Sequence, residues 1–86
     1  MEKVFSDEGL ADYIYWQTQD KKTLKRINGL LQDIERNGHK GIGNPELLKG
    51  MSGYWSRRIN EKDRLVYKLG DREILIAQCR THYGDQ

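Results

Sequence analysis

Cysteine, proline and long apolar runs are all scarce in this sequence. Its single cysteine, Cys79, excludes an intramolecular disulfide and a zinc site built from cysteines. Cys79 lies in an apolar stretch and reads as a buried structural thiol. The N-terminal MEKVFSDEGL has no apolar run long enough for a signal peptide or a membrane span, so the chain is expected to be cytoplasmic, with no membrane partner. Hydrophobic residues make up only 36% of the 86 positions and charged residues 33%. Such a chain forms one domain, residues 1–86, with a thin core that buries roughly 60 to 65% of the unfolded surface. Stability is then modest, and a partner that covers apolar surface adds to it.

What is abundant is charge, and it is unevenly spread. Residues 1–20 carry one Lys against five acids, residues 21–68 carry twelve Lys and Arg against five acids, and residues 69–86 carry two against three. The middle segment is thus +7 between flanks of −4 and −1, a basic region of the sort that meets phosphate or an acidic partner.

Local signals give an element order. Residues 2–5 suit a short first strand. Ser6 stands where an N-cap belongs, with Asp7 and Glu8 in the first turn of a helix over residues 7–17. Asp20 caps a second helix whose apolar stripe is Leu24, Ile27, Leu31 and Ile34, and Asn37-Gly38 stops it. Gly29 inside that helix marks either a close approach or a tolerated defect. Residues 38–53 hold five glycines and the only proline, and are expected to form a loop with at most one helical turn near residues 46–49. Three strands follow, over residues 54–59, 64–69 and 73–79, with hairpin connections. The expected fold is α+β, ordered β-α-α-β-β-β, an antiparallel sheet with a helical hairpin on one face.

Metal-free cleavage of RNA needs a base for the 2′-OH proton, cations for the charge on the five-coordinate phosphate, and an acid for the leaving 5′-oxygen. An aromatic ring can hold a splayed base by stacking. The C-terminal half offers a candidate for each role: Glu46 and Lys49 in the glycine-rich loop, Arg57, Arg58 and Arg64 around the first hairpin, and Arg80, His82 and Tyr83 at the end. No metal or other cofactor is required by this chemistry. His39 reads as an exposed loop residue, Trp16, Tyr13 and Tyr15 as core or interface, and Trp55 and Tyr54 as packing residues, with Tyr54 able to face the groove.

These residues carry a resemblance. VFSDEGLADYIYWQ, GNPELLKG, SGYWSRRI, RLVY and CRTHY together resemble the YoeB (Txe/YoeB) toxins of the RelE/ParE superfamily, over nearly the whole chain. The resemblance implies a RelE/ParE-like, microbial-ribonuclease-like fold and a bacterial ribosome-dependent endoribonuclease that cuts translated mRNA in the ribosomal A site. It implies a YefM-type antitoxin as partner, beside the ribosome and mRNA, and leaves room for a homodimer. Matched by position, Glu46 is the general base, His82 the general acid, Arg58 and Arg64 the phosphate-stabilising arginines, and Tyr83 the residue that orients the nucleotide. Lys49 is a further cationic residue of the site, and Arg57 and Arg80 are RNA contacts or structural charges.

Two features depart from that pattern. The loop is one residue shorter at Gly50-Met51, and Gly84, Asp85 and Gln86 follow His-Tyr, placing an acid where phosphate is expected and lowering activity. Alternation adds a geometric requirement: an even turn over residues 60–63 would set Arg58 and Arg64 on opposite faces, so an odd turn or a bulge is expected. Two other functions fit the fold: a ParE-like inhibitor that acts by binding alone, and an RNA- or antitoxin-binding module without turnover.

Overall fold

The computed structural model describes residues 1–81. Strand β1 (Glu2–Phe5) leads into helix α1 (Asp7–Gln19) and helix α2 (Lys21–Asn37); strands β2 (Glu46–Leu47), β3 (Tyr54–Arg58), β4 (Arg64–Leu69) and β5 (Glu73–Gln78) complete the chain. The sheet runs β1-β5-β4-β3-β2, with β1 parallel to β5 and the other neighbours antiparallel. The expected order holds, with two corrections. The sheet is mixed rather than purely antiparallel: β1 and β5 are neighbours with no hairpin between them, and they run in the same direction. The second is β2: where a helical turn was expected near Glu46, the chain is extended and pairs with β3.

Both helices are capped by the residues that local chemistry nominates. The Ser6 hydroxyl accepts from Gly9 N–H at 2.9 Å and donates to the Ala77 carbonyl at 2.8 Å, tying the start of α1 to β5. Asp20 ends α1 by donating its own N–H to Trp16 O, and starts α2 by accepting from Lys22 and Thr23 N–H. Gly38, at φ +65°, closes α2.

The core lies between the helical hairpin and one sheet face. Ile27, Leu30 and Ile34 of α2 meet Leu65, Tyr67 and Ile74, all essentially inaccessible to solvent. Gly9 allows α1 to approach β5, since a Cβ there would stand 2.5 Å from the Ile76 carbonyl oxygen. Gly29 has open space around it and is the tolerated defect of the two readings. Cys79 is buried as expected, its thiol pushed up to about 12 chiefly by burial. Trp16 donates its indole N–H to the Cys79 carbonyl at 2.8 Å.

Candidate functional site

Strand alternation divides the sheet into a helix-covered face and an outer face. Arg57 pairs with Leu65 and Trp55 with Tyr67, so these point toward the helices. Their neighbours Tyr54, Ser56 and Arg58 pair with Lys68, Val66 and Arg64, so those six share the outer face. Arg58 and Arg64 are direct partners because β3 ends at Arg58, which makes the connection 59–63 an odd, five-residue turn. The expected odd turn is present.

Backbone bonding sharpens that pair. Arg58 N–H donates away from β4 to Gly43 O at 2.6 Å, and Arg64 N–H donates away from β3 to Thr81 O. They are therefore a non-hydrogen-bonded pair, the arrangement in which facing side chains come closest, with Cβ atoms about 5 Å apart. Two like charges so placed repel, and an anion between them relieves the cost. Arg64 is half-buried and directs one guanidinium nitrogen to the Asn60 and Asp63 carbonyls, at 2.8 and 3.1 Å. Asn60 Oδ1 holds the turn by accepting from Lys62 and Asp63 N–H. Arg58 is exposed, and its side chain has no hydrogen-bond partner among the described residues.

Glu46 joins them through β2. It pairs with Ser56, the outer-face residue two positions from Arg58, and that spacing is about 7 Å along a strand. An exposed carboxylate thus lies diagonally across from the arginine pair on the same face. Lys49 follows in the turn between β2 and β3 and is exposed. Tyr54 also lies on this face, with the Lys68 ammonium 5.6 Å from its ring centroid. Tyr54 was expected as a packing residue able to face the groove; Ser56 and Lys68 were not singled out from the sequence, and period-two alternation from Arg58 was the signal for them.

Arg57 has to be reassigned. As an RNA contact it would need an accessible guanidinium, but the residue is fully buried on the helix side of the sheet. It pairs with Asp33 at 2.7 Å and donates to the carbonyls of Gly38 at 2.6 Å and Ile42 at 2.7 Å. The structure takes the alternative reading, a structural charge. Asp33 also accepts from Asn37 and from Ile42 N–H, and its carboxyl is held below the usual carboxylate range, chiefly by the Arg57 hydrogen bond.

His39 is likewise no exposed loop residue. Its ring stacks on Trp55, centroids 4.0 Å apart and 10° from parallel, and Nδ1 stands 3.4 Å from the Tyr67 hydroxyl. Burial, then the nearby Arg57 charge, lowers its pKa. Arg80 is exposed and lies over Tyr15 of α1, its guanidinium carbon 3.6 Å from the ring centroid. His82 and Tyr83 lie outside the described residues. Among the described residues no group of three or more His, Cys, Asp or Glu is placed to hold a metal ion, and no helix is long and apolar enough to cross a membrane.

The model of the YoeB-like toxins of bacterial type II toxin-antitoxin systems matches residues 5–83. The chain belongs to the YoeB toxin family. A YoeB toxin from Streptomyces coelicolor is 51% identical over 84 residues, spanning 96% of this chain and all of the relative. The YoeB dimer from Staphylococcus aureus superposes with a TM-score of 0.92 at 50% identity, covering 96% of this chain and 98% of that one. A heterotetrameric YoeB-YefM toxin-antitoxin complex from the same organism gives 0.89 at 49% identity, with the same coverage.

Proposed function

We propose that this protein is a ribosome-dependent endoribonuclease that cuts translated mRNA, the toxin of a type II toxin-antitoxin pair. The observation that carries this reading is the sharing of one outer sheet face by Glu46, Arg58 and Arg64, with the two arginines directly opposed. Glu46 takes the proton of a ribose 2′-OH. The freed oxygen attacks the adjacent phosphorus, Arg58 and Arg64 hold the charge that builds on the phosphoryl oxygens, and Lys49 adds to that field. The bond to the 5′-oxygen breaks as His82 protonates it, leaving a cyclic 2′,3′-phosphate and a 5′-hydroxyl. Tyr83 holds the splayed base. Exposed groups such as Glu46 and Arg58 are poor catalysts until substrate is oriented, and the ribosome supplies that orientation.

The partner is a YefM-type antitoxin that lays an acidic segment over the basic face, folding as it binds. The family match and a solved YoeB-YefM relative support this choice. A homodimer would cover apolar surface on the helical side, where Leu10 and Ile14 of α1 are 46% and 50% exposed.

The deciding experiment adds purified protein to ribosomes translating a defined mRNA and maps the cuts. Cleavage is expected within the A-site codon, and Glu46→Gln, Arg64→Ala and His82→Ala should each lower it by about 100-fold or more. Naked RNA should be cut far more slowly. Intact mRNA with the unaltered, folded protein would favour the ParE-like binding inhibitor instead.

A further inference from the structure

The placement of Glu46 poses a problem that β2 by itself does not solve. The strand has two residues at the sheet edge, and both Glu46 and Leu47 are exposed, Leu47 by 57%. Burial therefore does not favour one register over another, yet a slip by one residue would turn Glu46 to the opposite face. Something outside the strand has to set the register.

The turn into β3 holds the strand from its C-terminal side, through Leu48 N–H to Tyr54 O and Tyr54 N–H to Met51 O, and the contacts on its N-terminal side converge on Arg57. Its guanidinium gathers the carbonyls of Gly38, Lys40 and Ile42, while Asp33 binds the same guanidinium and the Ile42 N–H. The loop then passes directly to Gly43, whose carbonyl accepts from Arg58 N–H, and three residues later reaches Glu46. Gly41, at φ +136°, lies so close to Asp33 that a Cβ on it would overlap the carboxylate. Gly43, at φ +82°, lies against Leu30 and the β3 backbone.

We propose that the Asp33–Arg57 pair is a positioning device for the base: by wrapping residues 38–43 around one buried guanidinium, it sets the register of β2 and places Glu46 beside Arg58. Neighbouring arginines then divide the work, Arg57 organising the loop from the helix side and Arg58 meeting phosphate on the outer face. The inference rests on the nuclease reading for its catalytic consequence, but the register itself can be tested without activity.

Amide hydrogen exchange and NMR of the full chain test it, with Asp33→Asn as the mild variant and Gly41→Ala as a push from the loop side. In both, exchange at Arg58 and Leu48 N–H, which bond to Gly43 and Tyr54 carbonyls, should rise at least tenfold. Amides between β4 and β5 should stay within about twofold. On translating ribosomes, kcat should fall at least tenfold while ribosome affinity stays within about twofold, and Asp33→Glu should recover part of the loss. Unchanged exchange at Arg58 and Leu48, or an equal rise at every amide, would overturn the proposal, the second because it reports global loosening only. If the unaltered protein fails to cut mRNA, the nuclease reading fails, and exchange still decides whether the pair sets the register.

Discussion

Arg57 and Arg58 are adjacent, yet substituting them should have opposite consequences. Arg57→Ala strips a half-buried carboxylate of its fully buried cation and leaves three loop carbonyls without their donor, which should cost about 3 kcal/mol in urea unfolding. Arg58→Ala removes an exposed side chain, so stability should stay within about 0.5 kcal/mol while cleavage on the ribosome drops by about 100-fold. The two helical glycines form a similar contrast. Gly29 has room for a methyl group, and Gly29→Ala should stabilise the protein by about 0.5 to 1 kcal/mol, because alanine loses less backbone entropy in a helix. Gly9→Ala drives a Cβ into the Ile76 carbonyl and should cost about 1 to 3 kcal/mol. Thermal melts of the two variants beside the unaltered chain would check both signs.

At the scale of elements, the glycine-rich loop joins α2 to the sheet through groups that titrate. The pKa of His39 is lowered in the fold, so its contribution to stability is complete above its unfolded value of about 6.5 and is lost as pH falls through the lower, folded one. Asp33 is also depressed, and its contribution holds above the ordinary carboxylate range and disappears in more strongly acid solution. Asp12, on α1, works the other way: burial raises it, so its contribution is present at low pH and is lost as pH rises through the raised value. Melting temperature should therefore decline from pH 7 toward pH 3, beginning as pH drops below about 6.5. Asp33→Asn should flatten the acid limb, and His39→Gln the part that sets in below about pH 6.5. At the other end of the sheet, α1 secures the chain after β5. Asp12 accepts from Cys79 N–H at 3.0 Å, Trp16 donates to the Cys79 carbonyl, and Tyr15 supports Arg80. The residues that lead toward His82 are thereby tied to a helix rather than left to a loop.

For the molecule as a whole, charge governs encounter. The +7 segment contains both the α2 lysines and the outer-face arginines, so ribosome binding should weaken linearly in log salt. Arg58→Ala and Arg64→Ala should each reduce the slope by about one if each meets a phosphate. Replacing Lys21, Lys22 and Lys25 together should leave it unchanged if those exposed lysines are only solvated. Titrations at several salt concentrations would separate the two groups.

Much of this architecture was legible in the sequence, because it rests on short-range chemistry. Ser6 and Asp20 cap the helices through hydrogen bonds that span two or three residues, and Asn37-Gly38 ends α2 by local backbone preference. The odd turn between β3 and β4 followed from asking that Arg58 and Arg64 share a face. The order of β1, two helices and three hairpin-linked strands, and the residues of the outer face that resemble a nuclease, were within reach for the same reason. The remainder depended on contacts between distant positions. Arg57 and Arg58 look alike as letters, and only pairing with Leu65 and Arg64 sends one inward and the other out. A half-buried carboxylate 24 residues away makes Arg57 a loop anchor, β3 makes residues 46 and 47 a strand, and Trp55 makes His39 a packed ring. Caps and turns are decided by neighbours along the chain, whereas burial and facing are decided by what the folded sheet brings alongside.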